Sequence, residues 1–282
     1  MNSLLSLWKT VRQTLHEVRQ AWSLAGDFSS RLRLVSDLVL YRILKVIDLK
    51  SRNQERTIRC SNGLVLTYRL NRGDIQSIRE VWLDDAYRLP FSLKPGLVVD
   101  LGANIGLTSL WLHQQYGCDK IIAIEPNPSN AQLVRKNLIN NKINATVIEA
   151  AIGPTDGVVT FESSQDSNMG RVAVNGEQAT TGEQVKMISM TTLLAELPHD
   201  QEVDLVKLDI EGGEQQLLSG NLSWLKRVKA IIAEFHPEVV DYPGLIKTIQ
   251  QQEFQYIPAH TLDHDNMDAF VRESIAASVL AG

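Results

Sequence analysis

The chain has 282 residues, 44% hydrophobic and 22% charged, with a net charge of −5 at neutral pH. That is enough chain for a large buried core, and the acidic balance argues against a general nucleic-acid binder, which needs a basic surface to neutralise phosphate. Two cysteines, Cys60 and Cys118, exclude a disulfide framework and a four-cysteine zinc site, and they fit a reducing cytoplasm.

The start, "MNSLLSLWKTVRQ", places apolar residues ahead of charges, the reverse of a secretory signal. No run of about 18 uncharged apolar residues is present to span a membrane. Residues 1–56 hold ten Lys or Arg against five Asp or Glu, although the whole chain is acidic. Within them, Leu34, Leu38, Tyr41, Leu44 and Ile47 recur at three- and four-residue steps, which predicts an amphipathic helix. We therefore expect a helical N-terminal extension over 1–56. Its basic, amphipathic character suits a membrane surface or a partner, and packing on the chain's own remaining domain is the commoner fate of such a helix. Next, Asn62-Gly63 between two β-rich runs predicts a hairpin, since both residues tolerate positive φ. "NRGDIQSIREVWLDDAY" reads as a helix capped by Asp74.

From Leu97 strand and helix alternate. "LVVDL", "KIIAIE", "ATVIEAAIG", "VDLVKLD" and "VKAIIAEF" are predicted strands, and "GLTSLWLHQQY", "NPSNAQLVRKNLINN", "GEQQLLSG" and "GLIKTIQQQ" predicted helices. Asn127 caps the second helix, with Pro128 as its first residue. "FQYIP" and "DAFVRES" add two strands. This rhythm predicts a doubly wound, mostly parallel α/β sheet. "VVTFES" and "VKMISM" are extra strands, and the polar residues 163–184 between them are long enough for a lid over a site.

In such a sheet, ligands bind beyond the carboxyl ends of the strands. The first strand delivers Asp100, Gly102, Asn104 and Gly106, and the second ends in Glu125, followed by Pro126 and Asn127. A glycine turn with an acid about 20 residues on is a nucleoside-binding layout, the carboxylate accepting both ribose hydroxyls. The nicotinamide fingerprint would place glycines at 102, 104 and 107, where the chain has Gly102, Asn104 and Leu107. An adenosine ligand without pyrophosphate, such as S-adenosyl-L-methionine, has less need of the missing glycines.

Four blocks, "VVDLGANIGLTSL", "IIAIEPNPSNAQLVRKNL", "VDLVKLDIEGGEQQLLSG" and "AIIAEFHPE", together resemble FkbM-family methyltransferases, as does the upstream "DIQSIREVWLDDAY". The resemblance covers roughly residues 71 to 258 and implies a Rossmann-like class I methyltransferase fold, with a seven-stranded sheet whose last strand is antiparallel, so we expect the methyltransferase domain to occupy 57–282. It implies S-adenosyl-L-methionine as cofactor, held by Gly102, Ala103, Asn104 and Gly106 with Glu125 on the ribose. It places Asn127, Glu149, Ala150 and Ala151 near the adenine. It implies O-methylation of a small-molecule or glycan acceptor.

Lys207, Asp209 and Glu211 share parity in an extended chain, so we expect them to face the transferable methyl at the end of "VDLVKLD". Gly212 and Gly213 allow a turn, and Glu214 opens the next helix, where the macrodipole favours an anion. Glu234 and His236 end the following strand. His236 and Asp209 are rival bases for the acceptor proton. Asp209, Glu211, Glu234 and His236 could also share a divalent metal, although their scattered spacing gives no metal motif, and we expect none. A nicotinamide oxidoreductase and a non-catalytic nucleoside-binding scaffold are the competing functional readings.

Overall fold

In the computed structural model, residues 2–47, 53–162, 171–172, 182–259 and 267–281 are described. The chain divides into two compact units, 1–85 and 86–282.

The first unit contains helices α1 (Asn2–Leu24) and α2 (Phe28–Ile47), strands β1 (Glu55–Arg59) and β2 (Val65–Arg69), and helix α3 (Arg72–Ile78). Leu34, Leu38 and Tyr41 are buried, as the periodicity of α2 requires, while the side chains of Leu44 and Ile47 lie outside the described residues. β1 and β2 pair antiparallel around the Asn62-Gly63 turn. Only Gly63 takes a positive φ there, at 90°. The cap of α3 is not Asp74. Asn71 caps the helix by accepting from the Asp74 amide, and Asp74 is instead fully buried against the Arg69 guanidinium at 2.9 Å. A π-helical turn, Arg79–Leu83, closes the unit.

The second unit is built on a seven-stranded sheet. Its strands are β3 (Leu97–Leu101), β4 (Lys120–Ile124), β5 (Ala145–Ile148), β10 (Val203–Leu208), β11 (Val228–Glu234), β12 (Phe254–Pro258) and β13 (Met267–Arg272). Their order is β12-β13-β11-β10-β3-β4-β5. β5, β4, β3, β10 and β11 run parallel, and β13 is inserted antiparallel between β11 and β12. The predicted fold class is therefore borne out, including the antiparallel final strand. The helices α4 (Leu107–Tyr116), α5 (Pro128–Asn140), α6 (Met190–Ala195), α7 (Glu214–Ser219), α8 (Tyr242–Gln250) and α9 (Glu273–Leu280) complete the unit, with a 3-10 turn at Leu222–Arg227. Every residue of β3 is buried, and Val99, Leu101, Val206, Ile231 and Phe270 join one continuous core. Apolar burial of this kind contributes roughly 25 cal/mol per Å² of surface removed from water.

The predicted single strand "ATVIEAAIG" is in fact two. β5 ends at Ile148, and β6 (Ala151–Gly153) enters a second, four-stranded sheet with β9 (Glu183–Ser189), β7 (Gly157–Glu162) and β8 (Arg171–Val172). The change of sheet falls at Glu149 and Ala150, and a single charged residue is too short a break for periodicity to split one strand into two. Most of the proposed lid, residues 163–184, lies outside the described residues.

Candidate active site

The carboxyl ends of β3, β4, β10 and β11 converge on one rim of the large sheet. Two different kinds of site are built there, side by side.

After β3 the chain turns through Gly102, Asn104 and Gly106, with φ of 75°, 51° and 81°. A Cβ on Gly102 would collide with the carbonyl oxygen of Asp209. The glycine is needed because two strand ends approach backbone to backbone, and it also takes the left-handed turn. Gly106 serves helix packing: its Cβ would meet the Val134 Cα of α5 at 3.1 Å. Glu125, buried at the end of β4, accepts from the Asn104 amide and from the Asn127 amide, both at 2.9 Å. The Asn130 side chain donates to the same carboxylate at 3.4 Å. Burial pushes the Glu125 carboxyl up to about 7, against the amides that favour its ionised form. Asn127 caps α5 as expected, accepting from the Ser129 and Asn130 amides. Pro126 follows Glu125 in the same turn. Ala103, Ala150 and Ala151 are buried, and Glu149, half-exposed, pairs with Arg135 at 3.2 Å.

The second site is made of side-chain charge. Lys207 is fully buried, its Nζ 2.7 Å from the Gly102 carbonyl oxygen, 3.2 Å from Asp209 and 3.3 Å from Asp100. Burial by itself lowers the Lys207 pKa, but the carboxylates of Asp209 and Asp100 more than reverse this, so it is raised and the ammonium is retained. Asp100, also fully buried, takes a 2.5 Å bond from Ser109 on its other oxygen. Lys207 and Asp100 thus lie beneath the rim, with side chains 1% and 0% exposed. Asp209, 18% exposed, is the member of this trio that reaches the surface. The Tyr87 hydroxyl donates to Asp209 at 2.8 Å and stands 3.3 Å from Glu234. Tyr87 was not singled out in the sequence. It ends the "DIQSIREVWLDDAY" block, and nothing local marks it as facing a strand end 122 residues away.

The parity argument fails at Glu211. β10 ends at Leu208, and Glu211 and Gly212 turn with φ of 54° and 92°. The turn carries Glu211 to His236, 3.4 Å from its Nε2. Glu214 does more than open α7. It is fully buried, accepts from the Ile210 and Gly212 amides, and lies 3.4 Å from His236 Nδ1. Burial alone would lower the His236 pKa, but Glu214, Asp209 and Glu211 outweigh it and raise it to about 10. Burial, reinforced by the Asp209 charge, pushes Glu211 up to about 8. Asp209, Glu211 and His236 each offer one atom within 4.8 Å of the others, so these three could hold a divalent cation. Equally, a protonated imidazole already supplies positive charge between Glu211 and Glu214.

The chain matches the methyltransferase FkbM domain over residues 100–273. It is 27% identical over 220 residues to the 31-O-demethyl-FK506 methyltransferase FkbM of Streptomyces tacrolimicus, covering 64% of this chain and 81% of that protein. It is 26% identical over 161 residues to Methyltransferase 1 of Beauveria bassiana, covering 50% and 65%. To the hexuronic acid methyltransferase AglP of Haloferax volcanii it is 28% identical over 181 residues, covering 60% and 71%. The matched domain spans both halves of the rim, from Asp100 to beyond His236, and the chain belongs to the FkbM methyltransferase family.

Proposed function

We propose that the protein transfers a methyl group from S-adenosyl-L-methionine to a hydroxyl oxygen of a sugar, glycoconjugate or related natural product. The observation that carries this reading is the juxtaposition on one rim of a buried carboxylate after β4, Glu125, and a surface-reaching carboxylate after β10, Asp209. The relatives that are a 31-O-demethyl-FK506 methyltransferase and a hexuronic acid methyltransferase support an oxygen-rich acceptor.

The residues present fit the cofactor. Glu125 Oε2 accepts one backbone N–H and retains a lone pair, while Oε1 accepts the Asn127 amide and a long 3.4 Å bond from Asn130 that a ribose hydroxyl would replace, so a vicinal diol can donate to both oxygens. Such donation would stabilise the ionised form and offset the burial that raises its pKa. When bound, S-adenosyl-L-methionine supplies a methyl group on a positively charged sulfur, already activated for displacement. The protein's part is then to orient the acceptor and accept its proton. Asp209 is our candidate for accepting the proton, since Lys207 and Tyr87 both hold its Oδ2 while the side chain remains partly exposed. His236 is a poorer base in this setting, because at neutral pH its ring already carries the proton. Its charge instead lies against Glu214, with Glu211 on its other ring nitrogen.

Calorimetry with S-adenosyl-L-methionine, S-adenosylhomocysteine and NAD tests the reading, together with mass spectrometry of sugar and polyketide acceptors for the gain of one methyl group. Binding of the first two and methyl gain are expected. Binding of NAD alone would favour an oxidoreductase, and cofactor binding without turnover on any hydroxyl acceptor would favour a scaffold.

A further inference from the structure

Five of the nine large apolar side chains exposed among the described residues lie on α1 and α2. On α1, Arg12, Leu15, Arg19 and Trp22 follow at steps of three, four and three, which puts them on one face. Glu17 and Ala21, on the other side, are buried. On α2, Phe28, Leu32 and Val39 form a stripe opposite the buried Ser30, Leu34, Asp37 and Tyr41. Phe28 is 67% exposed and Leu15 64%. The two stripes join where the Trp22 and Phe28 rings pack edge to face, with centroids 6.2 Å apart. The Arg31 guanidinium lies over the same Trp22 ring at 5.5 Å.

The charge on these helices is sorted by direction. Two of their acids turn inward: Glu17 pairs with Arg79 at 2.7 Å, and Asp37 accepts from the Tyr68 hydroxyl at 2.7 Å. Asp27 is used locally, accepting from Ser29 and from the Ser30 amide at the start of α2. Arg12, Arg19 and Arg31 remain around the apolar stripe. An apolar patch containing Trp and rimmed by arginines matches an interface between acyl chains and anionic headgroups, the aromatic ring at headgroup depth and the guanidinium groups on phosphate. No helix among the described residues is long and apolar enough to cross a membrane. We infer that this face of α1 and α2 docks on an anionic lipid surface, lying on it rather than spanning it.

The test uses the full-length protein and two kinds of vesicle, phosphatidylcholine alone and phosphatidylcholine with phosphatidylserine, with bound protein read by flotation. Binding to the anionic vesicles should exceed binding to the neutral ones by about tenfold or more, and should weaken as salt is raised. Trp22→Ser combined with Phe28→Ser should lower it at least about tenfold. Arg12→Gln combined with Arg19→Gln should remove most of the preference for anionic lipid. Trp22→Ser with Phe28→Ser gives up the ring pair and the Arg31 contact and should lower the unfolding midpoint; Leu32→Ser with Val39→Ser is the second apolar pair if the first does not fold. Protein that floats with neither vesicle overturns the proposal, as does flotation that no variant weakens. A concentration-dependent dimer abolished by the apolar substitutions would assign the face to a second copy of the chain and overturn it equally.

Discussion

The two halves of the rim solve different problems with different materials. The β3–β4 half is a backbone construction: a left-handed turn, main-chain amides and one buried carboxylate, Glu125. The β10–β11 half is a side-chain construction, in which Asp209, Glu211 and Glu214 gather around two cations, Lys207 and His236, with Glu234 against the Tyr87 hydroxyl. A backbone site is suited to hold a constant ligand, because its donors barely move. A crowded set of charges is suited to proton movement, because small displacements shift its pKa values. The comparison teaches that binding and chemistry should separate when the two halves are altered one at a time.

Lys207 joins the halves, bonding the Gly102 carbonyl on one side and Asp209 on the other, so its removal should have the largest effect. Lys207→Met leaves Asp100 buried without its counter-charge and should destabilise the fold by about 3–5 kcal/mol, read by urea unfolding. Asp209→Asn should touch chemistry and spare cofactor binding. We expect kcat to fall by roughly 10²-fold while the cofactor Kd stays within about threefold. Stability should drop by about 1–2 kcal/mol, because Lys207 keeps Asp100. Glu125→Ala should show the converse: cofactor binding weaker by about tenfold or more, near 1.4 kcal/mol, with kcat at saturating cofactor within a few-fold. If Asp209→Asn instead weakened cofactor binding and Glu125→Ala spared it, the division of labour would be reversed.

The smallest expected effect is on pH dependence. The His236 pKa is raised from 6.5 to about 10 in the folded chain, so its contribution to stability is complete below pH 6.5 and fades as pH rises through 10. Glu211, raised from 4.5 to about 8, gives a loss of the same sign, but one that is complete near pH 8. Above pH 9 the buried thiols Cys60 and Cys118, pushed up from 9.0 to about 12 and about 11, add a further loss, so between pH 8 and 9 the remaining slope belongs to His236. Urea midpoints over that window should fall for the wild type and fall less for His236→Gln. Parallel curves would mean that the imidazole is not held between Glu211 and Glu214 as a cation.

The contrast between the halves also governs what could be read in advance. A backbone site is written in consecutive residues: "DLGANIG" and "IEPNPSN" contain the turn, the carboxylate and the Asn127 cap in order, because each feature is local. The strand and helix rhythm from Leu97 onward is local in the same sense, and it carries the fold class. Side-chain charge was legible as composition only. The place of Asp209, Glu211 and His236 near strand ends made them candidates, but their mutual geometry was not legible.

By itself, then, the sequence determined the doubly wound sheet and the inward face of α2 from Leu34 to Tyr41, since these follow from periodicity, and its contiguous motifs carried the resemblance to the FkbM family. Tertiary structure alone decided that the run from Ala145 to Gly153 crosses between two sheets, that Asn71 rather than Asp74 caps α3, that Tyr87 reaches Asp209, and that Glu211 leaves the strand parity through a left-handed turn to meet His236. The physical reason is common to these cases. Hydrophobic periodicity records which face of an element is buried, whereas the partner of a polar side chain depends on which distant backbone the folded chain brings within about 3 Å of it.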